Sequence, residues 1–298
     1  MLAPARLPTP LTRLLDPVFE RAGVRLRLKR DDLAHPLVPG NKWRKLAPNL
    51  ELARAEGHTR LLTFGGAYST HVRAVAAAAH ALGLGSTGVI RGEELADAPR
   101  NRSLRAAEEY GMELEFVPRS AYRSLVTGDH GDLVARWGRC LVLPEGGSNA
   151  SAVRGAAAIP AELPDLGARD LVCCPVGTGG TLAGIAAGLP SGARALGVAV
   201  LRGEGYLERE VTALHRAAYG REFANWRIDH GHHGGGYGRV PAALEEFAAA
   251  FERRHGIGIE RRYVAKTLLA VYDLAEAGEL APGTRVTVVV TGLPDGTG

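Results

Sequence analysis

The stretch "CPVGTGGTLAGI", Cys174 to Ile185, decides the fold class of this chain. A short apolar run enters a glycine-rich turn, and the turn leads into a second apolar run with helical composition. Such a turn gathers backbone N–H groups at the positive end of a helix dipole, which favours binding of an anion. The turn lacks the Lys-Ser/Thr pair of a nucleotide-triphosphate loop and the spacing G-x-G-x-x-G, so the anion need not belong to a nucleotide. A strand-to-helix turn that binds nothing is the alternative reading of this loop by itself.

The same order of strand, glycine and helix recurs along most of the chain. Alternation at this spacing indicates βαβ units, and therefore an α/β fold with mostly parallel, twisted sheets flanked by helices. Ligands of such sheets bind at the carboxyl ends of the strands. Pro48 interrupts the helical pattern after Asn41, and an interior proline can kink a helix. The clearest helical patterns are Thr70 to Leu82, Pro99 to Tyr110, Asn149 to Ile159, Thr181 to Leu189, Val240 to His255 and Val264 to Ala277.

Composition indicates a globular protein of two domains or two lobes. The chain has 298 residues, 46% of them hydrophobic and 23% charged, which argues against disorder and against a coiled coil. The formal net charge is +4, but 36 basic residues are interspersed with 32 acidic ones. No basic block is interleaved with aromatic residues, so we expect no nucleic-acid partner.

Cysteine usage and hydropathy suggest a reducing compartment. Cys140, Cys173 and Cys174 lie in apolar runs, which fits reduced core thiols better than disulfides or metal ligands, so we expect no metal. No apolar run is long enough to span a membrane, and the N-terminal residues lack the apolar segment of a signal peptide. We therefore expect a cytoplasmic protein with no membrane partner.

A second polar cluster follows the predicted strand "LLTFGG". Tyr68, Ser69, Thr70 and His71 come to the start of a helix, where free N–H groups can hold a carboxylate. Ser69 or Thr70 as a plain helix cap is the alternative. The segment "PEGGSN" has a similar arrangement at Gly146 to Asn149, and there we favour the interpretation as a helix cap.

Lys42 is a candidate Schiff-base lysine. It follows the turn "PGN" and precedes Arg44 and Lys45, whose positive charges would help lower its pKa if it were enclosed. A solvated lysine on a helix surface is the ordinary alternative. A lysine with a lowered pKa together with a phosphate loop is what pyridoxal phosphate requires of a protein.

The ordered set of motifs resembles the 1-aminocyclopropane-1-carboxylate deaminase / D-cysteine desulfhydrase family of fold-type II pyridoxal phosphate enzymes. The matching segments, in chain order, are "LKRDDLAHPLVPGNKWRKL", "LLTFGGAYSTH", "RGEE", "PEGGSN", "PVGTGGT", "HHGGGYGR", "RRYVAKTLLAVYDL" and "VVVTGLP". They run from about Leu28 to Pro294. The resemblance implies a tryptophan-synthase-β-like fold with a large cofactor-binding domain, residues 1–45 and 156–298, and a small domain, residues 46–155. It also implies a homodimer.

The resemblance implies a role for each matching residue. Lys42 would bond the cofactor aldehyde, and Ser69 would face the substrate carboxylate and the reacting carbon. Tyr237 and Tyr263 would flank the substrate as acid/base or stacking groups. Thr70 and His71 would also contact the substrate. The cofactor-binding residues would be Lys42, Asn41, Thr70, Gly177, Thr178, Gly179, Gly180, Thr181 and Thr291.

Departures from the family pattern bear on the reaction. The cyclopropane deaminases resemble one another in having Glu after the second tyrosine and Leu at the position of Thr291. This chain has Thr291, which favours the desulfhydrase branch, and Val264, which matches neither branch well because a small hydroxyl residue would be expected there. Thr70 replaces a usual Asn. We therefore expect α,β-elimination from a small amino acid, D-cysteine first, giving pyruvate, hydrogen sulfide and ammonia. Deamination of 1-aminocyclopropane-1-carboxylate is the alternative within the family, and a non-catalytic binder of the cofactor or of an anion is the alternative outside it.

Overall fold

The structure, a computed structural model, describes residues 4–128 and 130–294, apart from the side chains of residues 132 and 133. Strands and helices alternate along most of it. The strands are β1 Leu11–Leu14, β2 Arg25–Lys29, β3 Arg60–Gly65, β4 Gly85–Arg91, β5 Glu113–Val117, β6 Cys140–Leu143, β7 Asp170–Val176, β8 Arg194–Ala199, β9 Trp226–Asp229 and β10 Arg285–Val289. The helices are α1 Pro17–Arg21, α2 Asn41–Ala55, α3 Thr70–Leu82, α4 Arg102–Glu109, α5 Arg119–Thr127, α6 Gly131–Trp137, α7 Ala150–Ala156, α8 Ala158–Ala161, α9 Gly180–Gly188, α10 Tyr206–Tyr219, α11 Ala242–His255 and α12 Val264–Glu276.

The strands form two sheets. The larger has the order β1-β2-β10-β7-β8-β9, and its neighbouring strands are parallel except for the β1–β2 pair. The smaller has the order β5-β4-β3-β6 and is parallel throughout. The predicted α/β fold with mostly parallel sheets is confirmed.

Strand β7 explains why the larger sheet is covered on both faces. Successive side chains of a strand point to opposite faces. Cys173 packs into the cluster formed with α11 and α12, whereas Val172 and Cys174 pack into the cluster formed with α9. A continuously apolar strand is therefore required, as in other parallel sheets with helices on both sides. The three cysteines are buried and unbonded.

Helix α3 packs closely on the smaller sheet. Five of its alanines, Ala74 and Ala76 to Ala79, are buried and bring the helix against Leu61 and Ile90. Ser69 caps its N-terminus by accepting a hydrogen bond from the N–H of Val72. Gly83, with φ +68°, ends it in the left-handed conformation that glycine permits.

The predicted helices are present, with ends that differ by a few residues for most of them. The Asn149–Ile159 pattern divides into α7 and α8. Helix α2 runs through Pro48 without a break. The carbonyl of Arg44, which the proline cannot bond, faces Gly155 of α7 so closely that a Cβ there would overlap it. The two helices therefore pack at the proline.

The smaller sheet lies wholly within residues 60–143, and the larger is built from residues 11–29 and 170–289. The division into 1–45 with 156–298 and 46–155 remains a prediction. None of the helices within the described residues has both the length and the apolar composition needed to cross a membrane.

Candidate active site

A cavity of about 1000 Å³ opens where loops from both sheets meet. Its walls include the start of α2, the loops after β3 and β7, and the segment after β10. These loops follow the carboxyl ends of parallel strands, the usual position of ligands in α/β proteins. Every sequence-predicted site residue lines this cleft: Asn41, Lys42, Ser69, Thr70, His71, Gly177, Thr178, Gly179, Gly180, Thr181, Tyr237, Tyr263 and Thr291.

Lys42 differs from the other three lysines of the chain. Lys29, Lys45 and Lys266 are buried, and each ammonium donates to at least one oxygen of the protein. Lys42 is half-buried and lines the cleft, and its amine makes no hydrogen bond or ion pair among the described residues. Its amine is therefore the one lysine nitrogen that is free to react with a ligand in the cleft.

Burial around the Lys42 amine lowers its pKa to about 8 from an ordinary value near 10.5. The expected contribution of Arg44 is wrong, because its guanidinium forms ion pairs with Asp31 at 2.9 Å and Glu162 at 2.5 Å. Lys45 adds no resolved contribution either. Desolvation by the cleft walls, which only tertiary packing provides, is the cause of the shift.

The position of Lys42 is set by the two residues before it. Gly40 has φ +75°, and a Cβ there would overlap the Thr291 carbonyl. The same carbonyl accepts from the Asn41 N–H at 3.3 Å, while the Asn41 side-chain amide donates to the Thr181 hydroxyl at 2.8 Å. The start of α2 is thereby held between the segment after β10 and the glycine loop.

The glycine loop, residues 177–181, has the form of an anion site and lies against residues that the sequence analysis did not identify. The Lys45 ammonium donates to the Ser148 hydroxyl at 2.8 Å and to the Gly146 carbonyl. Ser148 in turn lies 2.6 Å from the Thr178 hydroxyl. A Cβ on Gly180 would stand 2.6 Å from the Ser148 oxygen, so this approach requires glycine. Together with the N–H groups of the α9 N-terminus, these groups form an electropositive cradle.

Sequence alone gave little signal for Lys45 and Ser148. Lys45 is three residues from Lys42 on the same helix, and Ser148 lies in the segment interpreted as a helix cap. Asn149 does cap α7, accepting from the Ala152 N–H at 2.9 Å, so the capping interpretation of that segment is confirmed. Ser148 has a separate function that depends on the fold.

The cluster after β3 is divided among three environments. Ser69 is half-buried and is the cap of α3, so the capping alternative is confirmed, and its hydroxyl proton remains available to the cleft. Thr70 is exposed at the cleft wall. His71 is fully buried with neither ring nitrogen hydrogen-bonded, and burial, followed by the charges of Lys42 and Lys45, lowers its pKa well below the ordinary value. His71 is therefore a neutral imidazole.

Tyr237 and Tyr263 line the cleft in an edge-to-face arrangement, with ring centroids 6.4 Å apart. Burial, and then the neighbouring Tyr237, raise the pKa of Tyr263 well above its usual value. Its hydroxyl therefore remains protonated at physiological pH. Tyr237 is 42% exposed and faces the opening of the cleft.

The residues present fit pyridoxal phosphate, the cofactor that the resemblance implies. The glycine loop with Lys45 suits a phosphate, and the free Lys42 amine suits an aldehyde. The unpartnered nitrogens of buried His71 indicate that a polar ligand belongs beside them, since buried polar groups are normally hydrogen-bonded. Within the described residues no group of three His, Cys, Asp or Glu side chains is placed to hold a metal ion.

Comparison with known proteins agrees with a site for pyridoxal phosphate. The profile of the family described as "Pyridoxal-phosphate dependent enzyme" matches residues 2–292. A putative 1-aminocyclopropane-1-carboxylate deaminase of Thermotoga maritima is 34% identical over 61% of this chain, and the match spans 59% of that relative. A D-cysteine desulfhydrase of Salmonella paratyphi B is 27% identical over 89% of this chain and 85% of its own length. The solved structure of an ACC deaminase homologue has a TM-score of 0.81 and 25% identity, covering 95% of this chain and 89% of that one.

Proposed function

The chain belongs to the family of pyridoxal-phosphate-dependent enzymes, and from this premise we propose that it catalyses α,β-elimination from D-cysteine. One water is consumed, and pyruvate, hydrogen sulfide and ammonia are released. The observation that carries the proposal is the unpartnered amine of Lys42 in the cleft, with its pKa lowered by burial to about 8.

Lys42 holds the cofactor and then moves the substrate proton. With cofactor and substrate bound, the Lys42 amine would be partly neutral near pH 8 and would accept the proton from the substrate Cα. When bound, pyridoxal phosphate supplies an electron sink for the electrons that this proton leaves behind. The thiolate on the adjacent carbon is a good leaving group, so its departure needs little assistance.

Ser69 and the α3 N-terminus bind the substrate carboxylate. The Ser69 oxygen accepts from Val72, and its own proton points to no other described partner. A substrate carboxylate at the cleft wall would accept this proton and benefit from the helix dipole. Fixing the carboxylate orients the Cα–H bond relative to Lys42, which is the geometric requirement for proton transfer.

Tyr263 acts as a hydrogen-bond donor or acid. Its raised pKa excludes a role as a base at neutral pH. From the cleft it would assist the departing sulfur or reprotonate the product carbon. Tyr237, whose ring packs edge-to-face against Tyr263, would help shield the reacting atoms from water.

Two side chains argue against opening of the cyclopropane ring, and one of them, Thr291, also favours desulfhydration. Val264 occupies the position where the resemblance implies a deaminase glutamate, and it is apolar and fully buried. Thr291 lines the cleft with a hydroxyl where the deaminases have leucine. The resemblance implies that Thr291 would help hold the ring of pyridoxal phosphate, where a hydroxyl in place of a carboxylate would suit loss of a good leaving group.

The test is to supply purified holoenzyme with D-cysteine and measure sulfide and pyruvate. Lys42→Ala should abolish both products and the near-visible absorbance of the bound cofactor. Cofactor absorbance without any product from D-cysteine would refute desulfhydration. Formation of 2-oxobutanoate from 1-aminocyclopropane-1-carboxylate at a higher rate would assign the alternative deaminase activity. A protein that takes up no pyridoxal phosphate would be a binder of another anion.

A further inference from the structure

Three arginines line the cleft, and no carboxylate among the described residues forms an ion pair with any of them. Arg73 lies on α3, Arg91 ends β4, and Arg102 begins α4. Among the described residues none of the three guanidinium groups makes a hydrogen bond or an ion pair. By contrast, Arg119 is paired with Glu94 at 2.7 Å at the edge of the same opening.

The unpaired charges line the same cleft as Lys42. Arg73 and Arg91 are half-buried. Burial, followed by the charge of Arg102, lowers the pKa of Arg73, so these two like charges lie close enough to repel each other. A Cβ on Gly66 would lie 3.5 Å from the Arg91 guanidinium, so Arg91 stands beside the loop that delivers Ser69.

Within the part of the chain that the structure describes, no carboxylate forms an ion pair with Arg91. Its guanidinium stacks over the Tyr122 ring, with 5.5 Å between the guanidinium carbon and the ring centroid. Glu145 lines the same cleft and forms no ion pair with it. The stacking leaves the guanidinium edge available to a ligand, and a planar guanidinium matches a carboxylate through two parallel hydrogen bonds.

The cleft extends past the reaction centre at this arginine. A second cavity of about 300 Å³ shares Gly66, Tyr68, Arg91 and Tyr237 with the main one. This space is large enough to receive a group of its own beyond a small amino acid. D-cysteine, which carries no charge at its β-substituent when the thiol is protonated, would leave it empty.

We propose that Arg91, supported by Arg73 and Arg102, binds a second anionic group of the substrate. The preferred substrates are then amino acids whose β-substituent ends in a carboxylate, sulfonate or phosphate, and D-cysteine is a minimal substrate. The inference rests on the proposed elimination activity and narrows its substrate class. Arg91 is thereby a specificity-determining residue. A charged substrate would bind more tightly through an ion pair with Arg91, whereas a neutral substrate would bind more weakly because it leaves the guanidinium unpaired.

The experiment compares S-carboxymethyl-D-cysteine with its neutral amide, S-carbamoylmethyl-D-cysteine, on the holoenzyme. Pyruvate release gives kcat/KM for each, and calorimetric titration gives their dissociation constants. The wild type should favour the acid by about tenfold or more, as expected for a charge-assisted pair. In Arg91→Gln the ratio should fall to about one. Arg105→Gln, an exposed arginine on α4 outside the cleft, should keep the wild-type ratio.

The outcomes separate this inference from the proposed function. Turnover of both compounds with a ratio near one in the wild type, or an unchanged ratio in Arg91→Gln, overturns the inference and leaves the elimination activity standing. Absence of turnover with any β-substituted amino acid refutes the elimination activity. In that case a binding preference for the acid that disappears in Arg91→Gln still supports the anion site, and its absence refutes it. Sulfonate and phosphate analogues, assayed in the same way, identify the anion.

Discussion

The side-chain amide of Asn41 donates a hydrogen bond at 2.8 Å to the hydroxyl of Thr181, 140 residues further along the chain. Asn41 is 8% exposed and Thr181 is 5% exposed. This bond joins the start of the helix that carries Lys42 to the glycine loop. It therefore fixes the distance between the reactive amine and the phosphate cradle.

Loss of this bond should weaken cofactor binding. Asn41→Ala leaves a buried hydroxyl without its partner, which costs about 1–3 kcal/mol. We expect the dissociation constant of pyridoxal phosphate to rise about tenfold, measured by fluorescence titration of the apoprotein. Asn225→Ala removes a comparable bond, to the Ala186 carbonyl far from the cleft, and should leave this affinity unchanged. Equal weakening by both substitutions would contradict the proposed function of Asn41.

Uptake of the cofactor should depend on pH through Lys42. Its pKa of about 8 means that the amine is protonated, and unable to bond the aldehyde carbon, below that pH. The rate at which the apoprotein gains near-visible absorbance should rise with pH and level off above about 8. An ordinary lysine would give a rise that continues to about pH 10.5. A rate still increasing between pH 9 and 10.5 would show that burial does not lower the pKa of Lys42 as described.

Gly40→Ala should be more damaging than the same substitution at another glycine of positive φ. The Cβ would overlap the Thr291 carbonyl, and φ +75° with ψ −161° is a conformation almost restricted to glycine. We expect a loss of about 3 kcal/mol in the free energy of unfolding, measured with urea. Gly83 also has a positive φ, +68°, but no atom lies within 4 Å of a Cβ added there. Gly83→Ala should therefore lower the free energy of unfolding by only about 1 kcal/mol. Similar losses would exclude the overlap as the cause.

Glu162 should make stability depend on pH in the acid range. Burial would raise its pKa, but hydrogen bonds from Arg44 and Lys29 more than offset this and hold it at about 2. Between its ordinary value of 4.5 and about 2 the unfolded chain binds more protons than the folded one, so stability falls as pH falls through this window. Glu162→Gln should abolish that slope and remove about 3 kcal/mol at pH 7, since it leaves the fully buried Lys29 ammonium without a carboxylate.

The matched control for Glu162 is Glu222→Gln, which breaks the exposed pair with Arg216. An exposed ion pair contributes little, about 0–1 kcal/mol, so its loss should change the free energy of unfolding only slightly. Urea denaturation at pH 3, 4 and 7 measures both effects. An unchanged acid slope in Glu162→Gln would assign that slope to other carboxylates.

Tyr263→Phe should lower kcat on D-cysteine about a hundredfold, with a smaller effect on KM, because it removes an acid used after the substrate has bound. The pH profile should keep its shape, since the raised pKa keeps Tyr263 protonated across the assay range. Tyr237→Phe, at the exposed edge of the pair, should lower kcat by less than tenfold. Loss of an alkaline limb in Tyr263→Phe would instead identify this residue as a titrating base.

The sequence predicted the individual site residues because their local patterns carry information. A glycine-rich turn between an apolar strand and a helix can be recognised from a few neighbouring residues. The same holds for a lysine after a Pro-Gly turn. Local pattern could not reveal Lys45 and Ser148, which meet only when α2 and the loop before α7 come together. Local pattern also wrongly predicted that Arg44 lowers the pKa of Lys42. Asp31 and Glu162, which are distant in the chain from that side chain's own helix turn, form ion pairs with Arg44 instead.

By itself the sequence determined the α/β class and the family and predicted the two anion-binding turns, since each depends on short-range patterns and their order. Tertiary structure alone decided the low pKa of Lys42, the conformational requirement at Gly40 and the unpaired state of Arg73, Arg91 and Arg102. Desolvation, steric overlap and charge pairing depend on which distant atoms lie within a few ångströms. Those distances are set when the two sheets and their helices pack, not by neighbours along the chain.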